Sequence, residues 1–412
     1  MRMRTNAHRS AVCAAMIASA LFLSAAPAAI AQGFDTTAPT AILVDFNTDT
    51  ILFEKDADRA VPPASLVKLM TIAVIFHELE EGRLSPTDTF AVSEYAWRTG
   101  GAASGGSTMF LPLNSTVSVE DLIKGIAIQS GNDATIVAAE GIAGSVEAFA
   151  QLMNQRAAEI GLTGSNFTNP HGLPDPGQHV TMRDLVVLAE HLIRDYPDRY
   201  PLFSETEFTF NGITQRSRNP LLALGADGLK TGHTSEAGYG LVASAQENGR
   251  RIVMAMNGMQ SVNERAEEAR KMMTWGLRSF QDHVVLAAGA AAAQANVRGG
   301  LAPTVALAPA EDLTVLAARG TEGEFEILVD ETPSVDAPVT AGQEIGRVRV
   351  VRAGQTVREA PLLAQAAVEQ APFMQRAWDM ALGYASDAGR AVVSYGQEAG
   401  RLAYGYVAGL IQ

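Results

Sequence analysis

Lysine is rare in this chain, five residues against twenty-six arginines, yet two of the five lie in short polar motifs. Lys68 closes Ser65-Leu66-Val67-Lys68, and Lys230 opens Lys230-Thr231-Gly232. Arginine serves ordinary surface charge, but its guanidinium stays protonated, so only lysine offers an amine that can give up its proton. Between the two lies Ser130-Gly131-Asn132. The first motif opens an apolar pattern of helical period, Leu69, Ile72, Ala73, Phe76 and Leu79, and the last leads into a strand pattern. A chain that uses all three combines helix and sheet around one point, and the residue types suit serine acyl transfer.

A serine hydroxyl is a weak nucleophile until a neighbouring base takes its proton. A lysine three residues further along a helix lies one turn away on the same face. Ser65 at the helix start also meets the positive end of the helix dipole, where its free backbone N–H suits an oxyanion. Desolvation and neighbouring cations lower a lysine's hold on its proton, which fits Lys68 as the base. Ser130-Gly131-Asn132 separates two helical patterns and reads as an exposed loop. Alone it is an ordinary turn; in this company its hydroxyl and amide suit proton relay and the holding of a carbonyl. The ammonium and hydroxyl of Lys230-Thr231 suit a carboxylate, and Gly232 permits close approach of a ligand backbone.

The 412 residues exceed one ordinary core and predict two domains with accessory segments. Residues 1–31 read as a secretory signal peptide: Arg2, Arg4 and Arg9 form a basic start, Ala11 to Ala26 an apolar run, and Ala29-Ile30-Ala31 a cleavage site. The segment has no Arg-Arg pair, which favours general secretion. The single cysteine, Cys13, leaves with it, which excludes disulfides, thiolate metal sites and a cysteine nucleophile. Without the leader, 28 basic side chains face 45 acidic ones, a net charge of −17 that excludes nucleic acid as a partner. The seven histidines show no metal-ligand spacing, so no metal or other cofactor is expected.

The pattern predicts a hairpin over residues 41–54, a helix from Ser65, and helices at about Val119 to Gln129, Ala134 to Gly141, Val146 to Ile160 and Met182 to Arg194. A second hairpin turns at Glu247-Asn248-Gly249, and an amphipathic helix at about Glu264 to Phe280 follows. Strands at both ends with helices between give an α+β catalytic domain over residues 32–282. The alanine-rich stretch Ala287 to Asn296 reads as a linker or helical spacer. Short alternating strands then make residues 283–366 a small all-β domain. Residues 367–412 read as an amphipathic helix, and no stretch there is apolar enough to span a membrane.

The order Ser-x-x-Lys, Ser-x-Asn, Lys-Thr-Gly, spaced 65 and then 100 residues apart, resembles the penicillin-interacting serine enzymes. It is most similar to the low-molecular-mass penicillin-binding proteins of the serine-type D-alanyl-D-alanine carboxypeptidase family. Gly106-Ser107-Thr108-Met109-Phe110-Leu111, Asn169-Pro170-His171-Gly172-Leu173 and Pro338-Val339-Thr340-Ala341-Gly342-Gln343 also look like family segments. Val67 departs from the threonine of many relatives, at a position facing away from the reacting groups.

The resemblance implies a β-lactamase/DD-peptidase-like fold, an antiparallel sheet with a helical cluster. It implies removal of the terminal D-alanine from peptidoglycan stem peptides through a Ser65 acyl-enzyme, and acylation by β-lactams. By motif position Ser65 is the nucleophile, Lys68 its base, and Ser130 and Asn132 assist proton transfer and substrate placement. Lys230, Thr231 and Gly232 form the carboxylate-binding strand, and the N–H groups of Ser65 and His233 the oxyanion hole. Arg218 and Arg265 match family arginines near the site. The implied location is the periplasm, at the outer face of the cytoplasmic membrane, with the C-terminal helix associating peripherally with lipid. A DD-endopeptidase and a slow penicillin-binding scaffold protein are the alternatives. A class A β-lactamase would need a catalytic Glu-x-x-x-Asn loop; Glu207 to Asn211 fits by letter but alternates like a strand.

Overall fold

The computed structural model describes residues 34–330 and 334–374. The leader and most of the C-terminal pattern thus lie outside the described residues. β1 (Thr40–Asp45) and β2 (Thr50–Lys55) form the first expected hairpin. Every residue of β1 is buried, because helices cover both faces of its sheet. Ile42 and Val44 join one apolar cluster with Leu69, Ile72 and Phe76, whereas Ala41 and Leu43 join a second with Ala269 and Met272. Successive strand residues point to opposite faces, so one apolar run serves two cores.

The chain then makes a 3-10 turn, Ala64–Val67, and α1 (Lys68–Glu80) starts at the lysine rather than at Ser65. Ala64 has a left-handed φ of +48° immediately after Pro62-Pro63, and this entry tightens the first turn. α1 is buried along most of its length, with Phe76 against Tyr196 and Phe203. β3 (Thr89–Ala91), α2 (Glu94–Thr99), β4 (Thr116–Ser118) and α3 (Val119–Lys124) follow. The helix expected to reach Gln129 loosens at Gly125 into a wide π-type turn, Gly125–Gln129. A Cβ at Gly125 would lie 2.3 Å from Met109 Sδ, so the Met109 thioether packs directly on the glycine.

α4 (Asn132–Ala143), α5 (Val146–Ile160) and α6 (Met182–Asp195) complete the helical layer. Ser145 and Thr181 cap α5 and α6, their hydroxyls accepting from the Ala148 and Asp184 N–H groups. β5 (Glu207–Phe210) and β6 (Ile213–Arg216) form a separate hairpin, which settles the Glu-x-x-x-Asn match as a strand and turn. β7 (Ala226–Thr234), β8 (Gly238–Glu247) and β9 (Arg250–Met259) return to the main sheet, whose order is β2-β1-β9-β8-β7 with antiparallel neighbours. α7 (Val262–Arg278) covers the face opposite α1, and Phe34 packs between Phe53 and Trp275, ring centroids 4.9 and 4.7 Å away.

β10 (Phe280–Leu286) runs through residue 283, where the sequence places the domain change, and pairs with β13 (Leu313–Ala318). β11 (Ala293–Arg298) and β12 (Thr304–Ala308) lie between them in sequence. β11 corrects the expected spacer: alternate residues Ala295 and Val297 are buried among Leu307, Val348 and Leu362, and this favours a strand. With β14 (Phe325–Val329), β15 (Val335–Asp336), β16 (Glu344–Arg352) and β17 (Gln355–Ala364), β11 and β12 form a sheet of order β14-β16-β17-β12-β11-β15. Val368 and Gln370 bridge to Val339 and Gly300, so residues 367–371 remain with the β domain rather than opening the C-terminal helix.

Phe76 is 1% exposed and joins α1 to α6 and the Tyr200–Ser204 turn. Phe76→Ala is expected to lower the free energy of unfolding by about 3–5 kcal/mol. Val262→Ala, at a position 52% exposed, should change it by less than about 0.5 kcal/mol. Urea unfolding followed by circular dichroism checks both.

Candidate active site

Three separate segments meet at the Lys68 amine, which is fully buried. Lys68 Nζ donates to Ser65 Oγ at 2.9 Å, to Asn132 Oδ1 at 2.8 Å and to the His171 carbonyl at 2.6 Å. Burial first, and then the Arg218 charge, lower its pKa to about 7, against the opposing pull of Asp133. The contact set fixes what a neutral amine does. Asn132 Oδ1 and the His171 carbonyl accept hydrogen bonds only, so they take the two remaining N–H groups. The lone pair is left facing the hydroxyl of Ser65, which can act as donor or acceptor.

Each partner is aimed by its backbone. The 3-10 turn presents Ser65, half-buried, one turn before Lys68. Ser130 leaves the π-type turn with φ +61°, a left-handed conformation that persists where surrounding structure over-determines it. Asn132 is held by its own N–H, which donates to the Ser107 carbonyl at 2.8 Å. Gly172 has φ +85°, and a Cβ there would sit 1.9 Å from the Ala64 carbonyl. The Asn169–Leu173 loop thereby lies directly against the turn that carries the serine. Thr71 Oγ1 donates to the Pro170 carbonyl at 2.7 Å and ties the same loop to α1.

Lys230 approaches from the outer strand β7. Its Nζ donates to Ser130 Oγ at 2.9 Å and to the Thr231 carbonyl at 3.0 Å. Burial, then the charges of Lys68, Arg218 and Arg265, hold its pKa well below the usual lysine range. A Cβ at Gly232 would lie 3.1 Å from the Pro63 carbonyl and 3.2 Å from Leu66 N, so β7 runs alongside the serine turn. His233, exposed, stacks on Tyr239 with centroids 3.9 Å apart, and the buried Arg265 lies 5.7 Å from the same ring. Arg218 is exposed, and its Nη1 donates to Ser107 Oγ at 2.7 Å. Ser130, Arg218, Lys230 and Thr231 line one narrow cleft.

The segments that converge here match a known family. Residues 25–260 match the family model described as D-alanyl-D-alanine carboxypeptidase, and residues 280–370 match that of the penicillin-binding protein 5 C-terminal domain. The chain belongs to the D-alanyl-D-alanine carboxypeptidase family. It is 38% identical over 350 residues to D-alanyl-D-alanine carboxypeptidase DacA of Haemophilus influenzae, covering 83% of this chain and 88% of the relative. It is likewise 38% identical to D-alanyl-D-alanine carboxypeptidase DacC of Escherichia coli, over 88% of this chain and 94% of the relative. Among solved structures, penicillin-binding protein 5 from Haemophilus influenzae superposes with a TM-score of 0.67, over 82% of this chain and 99% of that one. Penicillin-binding protein 6B from Escherichia coli gives 0.65 at 33% identity, over 81% and 97%. The carboxypeptidase fold, with its added all-β domain, is thus present over the described residues.

Sequence reasoning gave no role to His171, whose backbone carbonyl is a partner of Lys68; a backbone acceptor leaves no side-chain signature. The imidazole itself is neutral, since burial and then Lys68 push its pKa down to about 3, and its Nδ1 accepts from the Leu173 N–H at 3.2 Å.

Gly172→Ala must displace the Ala64–Ser65 backbone. A misplacement on the order of 1 Å costs about a hundredfold in rate, so covalent labelling by fluorescent penicillin is expected to slow by about that factor.

Proposed function

We propose that Ser65 is the acylated nucleophile of a serine-type D-alanyl-D-alanine carboxypeptidase acting on peptidoglycan stem peptides. The observation that carries this reading is the contact set of Lys68, which directs the lone pair of its neutral amine at Ser65 Oγ. As Ser65 Oγ bonds to the carbonyl carbon of the penultimate D-alanine, its proton passes to Lys68 Nζ. The backbone N–H groups of Ser65 and His233 hold the negative oxygen. The peptide C–N bond then breaks as Ser130, hydrogen-bonded to Lys230, gives its proton to the departing amine and takes up the one Lys68 holds, which returns Lys68 to the neutral amine. Free D-alanine leaves. Water, giving a proton to Lys68, adds to the ester carbonyl, and Lys68 returns that proton to Ser65 Oγ as the acyl bond breaks.

Substrate placement falls to the outer strand. Thr231 and Lys230 attract the terminal carboxylate, Gly232 lets the peptide backbone approach β7, and Asn132 holds a substrate carbonyl. Arg218 and Arg265 add positive charge near the cleft. Penicillin enters the same chemistry, with its ring carbonyl in place of the peptide carbonyl. The leader pattern and the family's substrate support an exported, periplasmic protein. The aromatic residues Trp378, Tyr384, Tyr395, Tyr404 and Tyr406 support peripheral association of the C-terminal segment with the membrane surface. Arginines and acidic residues balance from Phe373 onward, so this association rests on apolar area rather than charge.

The purified mature protein is expected to release free D-alanine from a stem pentapeptide, and Ser65→Ala to release none. Covalent penicillin labelling without D-alanine release would instead favour an endopeptidase or a scaffold. The pH profile carries a second expectation. Below about pH 7 Lys68 is protonated and holds no lone pair, so kcat/KM should fall on the acid side with a midpoint near 7. Lys68→Arg should be inactive at every pH, because a guanidinium does not deprotonate.

A further inference from the structure

Asp133 follows Asn132 in α4 and is wholly buried, yet no step of the reaction uses it. Its Oδ1 accepts from the N–H groups of Met109 at 2.8 Å and Ala134 at 2.9 Å. Its Oδ2 accepts from Thr108 Oγ1 at 2.7 Å and from the Leu111 N–H at 3.1 Å. Three of these four donors belong to residues 108–111. Within that segment Phe110 has φ +63°, an unfavourable conformation for an aromatic residue. It persists because the N–H groups on either side are tied to one carboxylate, while its own donates to Thr108 Oγ1 at 3.0 Å.

The same segment reaches the reacting groups. The Ser107 carbonyl receives the Asn132 N–H, Ser107 Oγ receives Arg218, and the Thr108 carbonyl receives Gln215 Nε2 at 2.9 Å. A Cβ at Gly131 would lie 2.9 Å from Asp133 Oδ1 and 3.0 Å from Met109 N, so the two backbones are packed without room for a side chain. The charged and titratable groups around Lys68 are Arg218 from the segment before β7, Lys230 from β7, His171 from the loop against α1, and Asp133 from α4. Asp133 is the anion among them.

We propose that Asp133 is a positioning residue for serine acylation: it fastens residues 107–111 to the Ser130-Gly131-Asn132 turn and supplies the buried negative charge opposite the cations of the site. This rests on the reading of Lys68 as the base that activates Ser65. Its electrostatic part has a definite sign. Asp133 strengthens the hold of Lys68 on its proton, against burial and Arg218, which weaken it.

The test compares the unmodified full chain with Asp133→Asn and Thr108→Val. The readout is the second-order rate of covalent labelling by benzylpenicillin across the pH range. Asp133→Asn removes the anion, so the acid limb of its profile is expected to move to lower pH by about one unit. The plateau rate should fall by about ten- to a hundredfold, since an amide turns N–H groups toward backbone donors. Thr108→Val keeps the charge and loses one donor, and should show a loss of about tenfold with the acid limb unmoved. A folded Asp133→Asn protein with an unmoved acid limb overturns the proposal. If Asp133→Asn does not fold, Thr108→Val decides: a rate equal to the unmodified protein overturns the proposal, and a tenfold loss in a folded protein supports it. An unmodified chain that takes no label at any pH would overturn the assignment of Ser65 and Lys68 themselves, a result distinct from either.

Discussion

One desolvated amine holds the site together. Lys68 Nζ is the point where the serine turn, the start of α4 and the Asn169–Leu173 loop share hydrogen bonds. Removing a cation from water is costly, and here the cost falls on the ionised form. The unfolded chain has an ordinary lysine, so between about pH 7 and 10.5 it binds more protons than the folded chain. Stability therefore rises with pH across that window, and below it the folded state bears the full penalty. Lys230 is shifted in the same direction. The site thus opposes the fold electrostatically, and the two apolar clusters on either side of the sheet offset it.

The sheet serves the site by ending beside it. β7 is the outermost strand, paired to β8 along one side only, and its Lys230–His233 stretch passes the turn that bears Ser65. An outer strand keeps backbone donors and acceptors for another extended chain. In this architecture the glycine of Lys230-Thr231-Gly232 has two neighbours to accommodate, the serine turn on one side and a peptide substrate on the other. The contact with Pro63 and Leu66 accounts for the first.

Much of this was legible in the sequence. Both hairpins of the main sheet and α5 follow from local period and turn chemistry, and the three motifs lie together, although Ser130-Gly131-Asn132 is buried where the sequence suggests an exposed loop. What escaped were features set by distant packing. The start of α1 depends on the left-handed Ala64, and the wide turn after Lys124 brings Gly125 against Met109, a residue distant in the local pattern. β11 looks like a spacer because alanine has little strand preference, and only its burial in the β domain decides it. Asp133 carries no motif in the sequence; three of its four donors meet it only when residues 108–111 are folded back onto it. His171 acts through its backbone carbonyl, which the sequence cannot distinguish from any other.

The ring of Phe34, seated between Phe53 and Trp275, has a practical consequence. It anchors this end of the described residues on the α7 side of the sheet, whereas the serine turn packs into the α1 side. A fluorophore or affinity handle placed ahead of Phe34 would be carried on the layer away from the cleft. Attachment at that end would leave the approach of a cell-wall polymer to Ser65 unobstructed.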